Sequence, residues 1–242
     1  MKNNITALLI ALAVVISAGI LGHAWKKSHE TRNSINVTGL ASHDFTSDLI
    51  VWSGSYQRKA MTTQESFSKL KSDMETIKQY LLKRNIPESE IVFSSVTIDK
   101  QFDYIRNSDK TETKVFTGFN LTQRVEIESK NVEGVEKLSR EVTELIDKGI
   151  EFYSEEPRYY YTKLADLKIE LLAKATKDAR VRADKIAENA GGKINSLKSA
   201  DMGIFQITGQ NSAEDYSWGG TFNTSSKNKT ASITVKLEFS ID

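Results

Sequence analysis

The sequence contains no cysteine. Disulfides, thiolate zinc sites, iron–sulfur clusters and cysteine nucleophiles are thereby excluded. Only two prolines occur, Pro87 and Pro157, so Pro-rich linkers are absent too. An excess of one charge is also missing. Lys and Arg number 33 against 32 Asp and Glu, a formal net charge of +1. So balanced a chain carries no electrostatic footprint for nucleic acid, and no such partner is expected. Histidine is scarce as well: His23, His29 and His43 have no partners at metal-ligand spacing. Neither a phosphate loop, a G-x-S-x-G elbow nor a G-x-G-x-x-G turn is present. These absences assign no catalytic residue, no cofactor and no metal, and the expectation is a protein that is not an enzyme.

What is present begins with an apolar run. Ile5 to Leu21 carries no charge, continues to Ala24, and is closed by Trp25, Lys26 and Lys27. As a helix it would reach roughly 25–30 Å, long enough to cross a membrane. Small residues at Gly22 and Ala24 also suit cleavage after Ala24. Residues 1–25 therefore read as a membrane anchor or export signal, with the membrane as partner, and 26–33 as a spacer. The flanking Lys26, Lys27 and Arg32 would by themselves keep the domain in the cytoplasm. Long domains, however, translocate largely regardless of such charges.

The region 34–242 is long enough to bury a core and shows no composition break. Ile35, Val37, Gly39 and Ala41 alternate with polar neighbours, a strand, and the segment Leu49 to Ala60 reads as a second one. Thr62 and Glu65 fit a capping box ahead of Phe67, Leu70, Met74, Ile77 and Leu81, the spacing of an amphipathic helix. A strand over Ile91 to Phe102 and another with Val115, Thr117, Phe119, Leu121, Gln123, Val125 and Ile127 on one face flank a hairpin loop. A second helix is expected from Asn131 to Lys148, stopped by Gly149. A short strand from Ile150 to Tyr153, a long helix from Tyr161 to Ala190 and strands near 193–199 and 202–208 follow. Residues 209–228 are a polar loop, long for a compact domain. Ala231 to Ile241 alternate without error. Hairpins interleaved with helices predict an α+β fold, with antiparallel sheets carrying helices on one face.

The long helix has an unusual core face. Ala175, Ala179, Ala183 and Ala187 recur every four residues, with Leu172, Thr176, Ile186 and Ala190 beside them. Such spacing puts methyl groups on one stripe and lets the helix axis approach its neighbour closely. Lys174, Lys177, Asp178, Arg180, Arg182, Asp184, Lys185 and Glu188 read as the solvated back. The expected neighbour is a sheet, with a helix or a second subunit as the alternative.

This helix resembles the C-terminal signature of the SIMPL-domain family. The matching residues are Asp178-Ala179, Arg182-Ala183, Ile186-Ala187 and Gly191-Gly192. Ile35-Asn36-Val37-Thr38-Gly39, followed by Asp48, is similar to the family's opening strand. Asn85-Ile86 with Ile91, Gly118-Phe119 and Gly149-Ile150 are similar to its later landmarks. The likeness spans residues 34–242 and departs from the family at Gly192-Lys193-Ile194 and in the 209–228 loop. It implies a bacterial cell-envelope protein of unknown precise role, with envelope or stress maintenance among the roles it suggests. The domain would stand in the periplasm on an inner-membrane anchor, or be released there after cleavage.

The resulting expectation is a non-catalytic protein acting by binding or homo-oligomeric assembly. Arg158, Tyr159, Tyr160 and Trp218 are its candidate interaction residues, since Tyr, Trp and Arg are favoured at interfaces. The alternative is a hydrolase whose carboxylates, Asp103, Asp109 and Glu155 among them, converge only on folding.

Overall fold

The structure, a computed structural model, describes residues 12–25, 34–106, 112–215 and 217–242. Among these residues it is an α+β fold of two antiparallel sheets and four α-helices. Helix α1 covers residues 12–25, and its Val14, Val15, Ile20 and Leu21 are more than 60% exposed. The first part of the apolar run, Ile5 to residue 11, lies outside the described residues. Among the described residues no helix is long and apolar enough to cross a membrane.

The first sheet is built on the two most regular strands of the sequence. β1 (Ser34–Thr46) pairs with β10 (Asn228–Ile241) along its whole length, from Ser34↔Ser240 to Thr46↔Asn228. The far side of β10 takes β8 (Ile194–Met202) and β9 (Gln206–Gly209) end to end. Helix α4 (Leu164–Asn189) lies on this sheet. Leu167, Leu171, Ala175, Ala179 and Ala183 pack there against Val37, Ala41, Ile233, Val235, Leu237 and Phe239. The alanine stripe thus faces a sheet.

The second sheet centres on β2 (Leu49–Ala60) and β5 (Glu112–Ser129), paired from Ile50↔Ser129 to Ala60↔Phe119. β3 (Ile91–Phe93) and β4 (Thr97–Arg106) share the outer side of β5. β6 (Phe152–Ser154) and β7 (Arg158–Tyr160) share the outer side of β2. Helices α2 (Thr63–Lys83) and α3 (Val132–Glu141) cover this sheet, and Trp52, Tyr56, Leu70, Ile77, Leu121, Val125 and Leu138 form its core. Thr62 caps α2, its Oγ1 accepting from Glu65 N at 3.3 Å, while the Glu65 carboxylate of the expected capping box takes Lys69 Nζ at 2.8 Å. The second expected helix changes to a 3-10 turn over Val142–Lys148 and ends on Gly149 in the left-handed region, φ 72°.

Three readings of the sequence need correction. The strand expected over Ile91 to Phe102 is broken into β3 and β4, with Ser94 N turned onto Arg124 O at 2.9 Å. In β5 the expected single face from Val115 to Ile127 is interrupted. Gly118 sits at φ 128° and the register jumps from Gln101↔Gly118 to Phe102↔Phe116. That bulge inserts Thr117 and rotates Phe116, not Val115, into contact with Phe119, ring centroids 5.1 Å apart. Third, Asp178 does not belong to a purely solvated helix back. Its Oδ2 accepts the backbone N–H of Leu40 at 2.9 Å, and this hydrogen bond holds its pKa below the ordinary carboxylate value.

One buried charge has no counterpart in the hydrophobic pattern. Asp73 of α2 is 6% exposed and receives Arg58 Nε at 2.5 Å and Arg58 Nη2 at 2.8 Å. Arg58 Nη2 also donates to Gly149 O at 2.7 Å, so one guanidinium ties β2, α2 and the end of the 3-10 turn together. Removing the carboxylate strands a half-buried cation. Asp73→Ala is therefore expected to cost about 3 kcal/mol in urea unfolding. A loss under about 1 kcal/mol, the range of exposed pairs, would show that the pair is solvated in practice.

Candidate functional site: an aromatic arm and a tryptophan groove

The β4–β5 hairpin runs past the helices that cover its sheet. Its outer half keeps apolar side chains in water: Tyr104 is 64% exposed, Ile105 54%, Phe102 and Phe116 37% each. The bulge at Gly118 puts Phe102, Phe116 and Phe119 in a row of edge-to-face contacts, 5.7 Å and 5.1 Å between centroids. Lys114 Nζ lies 4.0 Å from the Phe102 ring and 6.0 Å from the Tyr104 ring. The core face of the second sheet thus continues outward as an uncovered aromatic stripe with a cation on it. Contiguous exposed apolar surface of this kind marks an interaction site more often than isolated exposed residues do.

A second apolar feature lies on the first sheet, on the side turned away from α4. Leu40, Ile204, Gln206, Trp218, Ser232 and Thr234 line a groove of about 570 Å³. Trp218 stands at its rim, 96% exposed. The polar 209–228 loop that carries it is held from within. Gln206, 7% exposed, donates to Ser217 O at 2.9 Å and accepts from Thr221 N at 2.6 Å. Glu214 accepts Gly209 N at 2.9 Å and is bonded by the Asn223 amide, and the backbone N–H chiefly holds its pKa below the usual carboxylate value. Asn223 Oδ1 in turn takes Ser226 N at 2.8 Å. The loop is therefore a folded platform for the indole.

The candidate interaction residues are not brought together. Arg158, Tyr159 and Tyr160 form β7 and add to the edge of β2, opposite Val51, Ile50 and Leu49. Tyr159 is 7% exposed and belongs to the second sheet's core. Arg158 Nη2 lies 3.9 Å from Glu126 Oε2 on the outer face. Trp218 lies on the other sheet. The signal missed in the sequence is the aromatic content of the hairpin: Phe102 and Phe116 fell within the expected strands and Tyr104 just beyond one, and nothing local said that no helix would cover them.

The carboxylates are likewise apart. Asp103 faces Val115 in the arm, whereas Glu155 takes Ser53 Oγ at 2.8 Å and the Arg124 guanidinium. Val115 and Arg124 are separated along β5 by roughly 30 Å at the rise of a strand. Asp109 and His29 lie outside the described residues, and among the described residues no group of three metal-ligating side chains occurs.

Residues 35–239 match the SIMPL family, described as "Protein of unknown function (DUF541)". The match covers most of the chain, which therefore belongs to this family. No curated protein matches it.

Proposed function

We propose that this SIMPL-family chain is a non-catalytic protein of the bacterial cell envelope that works by assembling with copies of itself. The apolar N-terminal segment holds it to the inner membrane with its domain in the periplasm, or exports it there for cleavage after Ala24. The uncovered apolar side chains of α1 support that reading, because a helix that is hydrophobic all round needs a lipid or protein environment.

The observation that carries the assembly is the aromatic arm. Its stripe is apolar, paired along the hairpin and uncovered by any of the described helices, while the Trp218 groove offers a separate apolar surface. An arm of one copy seated in the groove of the next makes a head-to-tail contact, which closes into a ring if the rotation allows.

The lack of cysteine makes the test clean. Tyr104→Cys and Trp218→Cys chains are mixed and oxidised mildly. The expected product is a disulfide-linked pair containing one chain of each type. Cross-linking no better than that of a Lys193→Cys control would contradict arm-to-groove docking.

A further inference from the structure

Among the described residues most strand edges are protected. The outer edge of β1 is closed at Leu40, whose N–H goes to Asp178. β8 carries extra residues against β10, since Glu238 faces Ser199 and Ile241 faces Ile194, so its edge is bulged. β9 is bridged to Phe222 from its other side, and β3, β6 and β7 have three residues each. Bulges, covers and short strands keep one sheet from pairing with another. β4 has none of these. It runs for ten residues without proline, all but Gln101 are exposed, and among the described residues only β5 pairs with it. The extra residue at the Gly118 bulge belongs to β5, so the spacing along β4 itself stays regular.

The sequence of β4 says which partner this edge accepts. A second copy of the strand can add antiparallel about a two-fold axis normal to the sheet, and such an axis places one residue opposite its own copy. With the axis at Lys100, that lysine meets itself. With the axis at Gln101, Asp99 meets Asp103 twice. With the axis at Asp103, that aspartate meets itself and Lys100 meets Arg106. Like charges directly opposite one another destabilise a pair of strands. With the axis at Phe102 no like charges meet. Phe102 then faces Phe102, Lys100 faces Tyr104, Gln101 faces Asp103, Asp99 faces Ile105 and Ile98 faces Arg106. One aromatic pair and two cation–aromatic pairs fall on the face that bears the stripe. The row of Phe119, Phe116 and Phe102 would continue across the axis into the same row of the other copy.

We propose that two copies of this chain join along β4, antiparallel about Phe102, so that their second sheets become one continuous sheet. The inference rests on the assembly reading above, but it uses the edge of the arm, whereas the groove contact uses its face. Backbone hydrogen bonds between the two edges hold the copies together, and the matched side chains fix the register.

The test uses full-length chains in neutral detergent, each with a single introduced cysteine, under mild oxidation. Asp99 and Ile105 alternate away from the aromatic stripe, so Asp99→Cys and Ile105→Cys leave it intact. In the proposed register these two positions face each other with Cα atoms about 4.5–5.5 Å apart, within reach of a disulfide. Asp99 of one copy lies about 20 Å from Asp99 of the other, and Ile105 likewise from its copy. A mixture is therefore expected to give linked pairs with one chain of each type, and either chain alone no more than a Lys193→Cys control. Gln101→Lys, set opposite Asp103 twice by the symmetry, should tighten association severalfold in sedimentation equilibrium, and Gln101→Asp should weaken it by as much. None of these variants alters Trp218. A linked Asp99–Ile105 pair without a linked Tyr104–Trp218 pair would uphold the edge contact and remove the groove contact. A mixture that links no better than the control would overturn the proposal. So would either chain linking to itself as readily as to the other, or Gln101 variants that associate equally well.

Discussion

Gly39→Ala is expected to lower stability by about 3 kcal/mol, at the upper end of what overpacking a core costs. A Cβ at this position would lie 2.1 Å from Ala175 O, 2.5 Å from Ala179 N and 2.8 Å from Ala179 Cβ. The two nearest atoms are helix backbone, which cannot rotate away as a side chain can. The new methyl must push α4 off β1. That motion also stretches the bond from Leu40 N to Asp178 Oδ2 and loosens Ala175, Ala179 and Ala183, all fully buried. In thermal unfolding the loss corresponds to roughly 6–12 °C for a domain of this size. Ala179→Gly in the same chain should not rescue it, because the backbone contacts remain. Gly219→Ala, whose Cβ meets only Ser217 Oγ at 3.8 Å, serves as the control and should change little. A Gly39→Ala chain as stable as the parent would mean that α4 does not sit against β1 as described.

Between pH 8 and pH 10.5 the parent chain is expected to gain about 3 kcal/mol of stability relative to Lys229→Met, from the depressed Lys229 pKa. Lys229 is 2% exposed, and its ammonium donates to Tyr159 O at 2.5 Å. Burial is the main cause of a pKa lowered from 10.5 to about 8, opposed by the charge of Glu214. The sign follows from proton counting. In that window the unfolded chain binds the proton and the folded chain releases it, so rising pH favours the folded state. Below pH 8 both states are protonated and the difference between the two chains is flat. Tyr56 and Tyr80, whose phenols burial pushes up, act in the opposite direction at higher pH. Comparison with Lys229→Met cancels them. Urea unfolding at several pH values measures the effect, and a constant difference across the window would show that water reaches the ammonium.

Much of the fold was legible because its signals are local. The alternation of β1 and β10, the Thr62 cap, the Gly149 stop and the four-residue alanine spacing each report a backbone conformation through neighbours in sequence. The joint at Gly39 was visible only in halves. The opening strand and the Asp178-Ala179 pair could both be picked out, yet their contact spans 138 residues between Leu40 and Asp178, and no local rule supplies it. The two family landmarks turn out to be one joint: glycine admits the helix backbone and aspartate closes the outer N–H of an edge strand. Lys229 shows the opposite failure. It has the inward parity of Ala231 and Ile233, but a lysine there reads as the strand's end until β7 and the 209–228 loop are seen to close over it. The arm was hidden for a related reason. Whether Phe102 and Phe116 are core or surface depends on where α2 ends in space and on the rotation introduced by the Gly118 bulge. Arg158–Tyr160 stood out only as candidate interaction residues because three residues are too few to show a period; only pairing with β2 makes them a strand.

In the proposed assembly the arm joins copies of the chain. Sedimentation of the fragment 26–242 across a range of concentrations tests it most directly. A species at a multiple of the monomer mass is expected, reduced to monomer when Phe102 and Phe116 are both changed to serine. A single monomer peak at every concentration would contradict it.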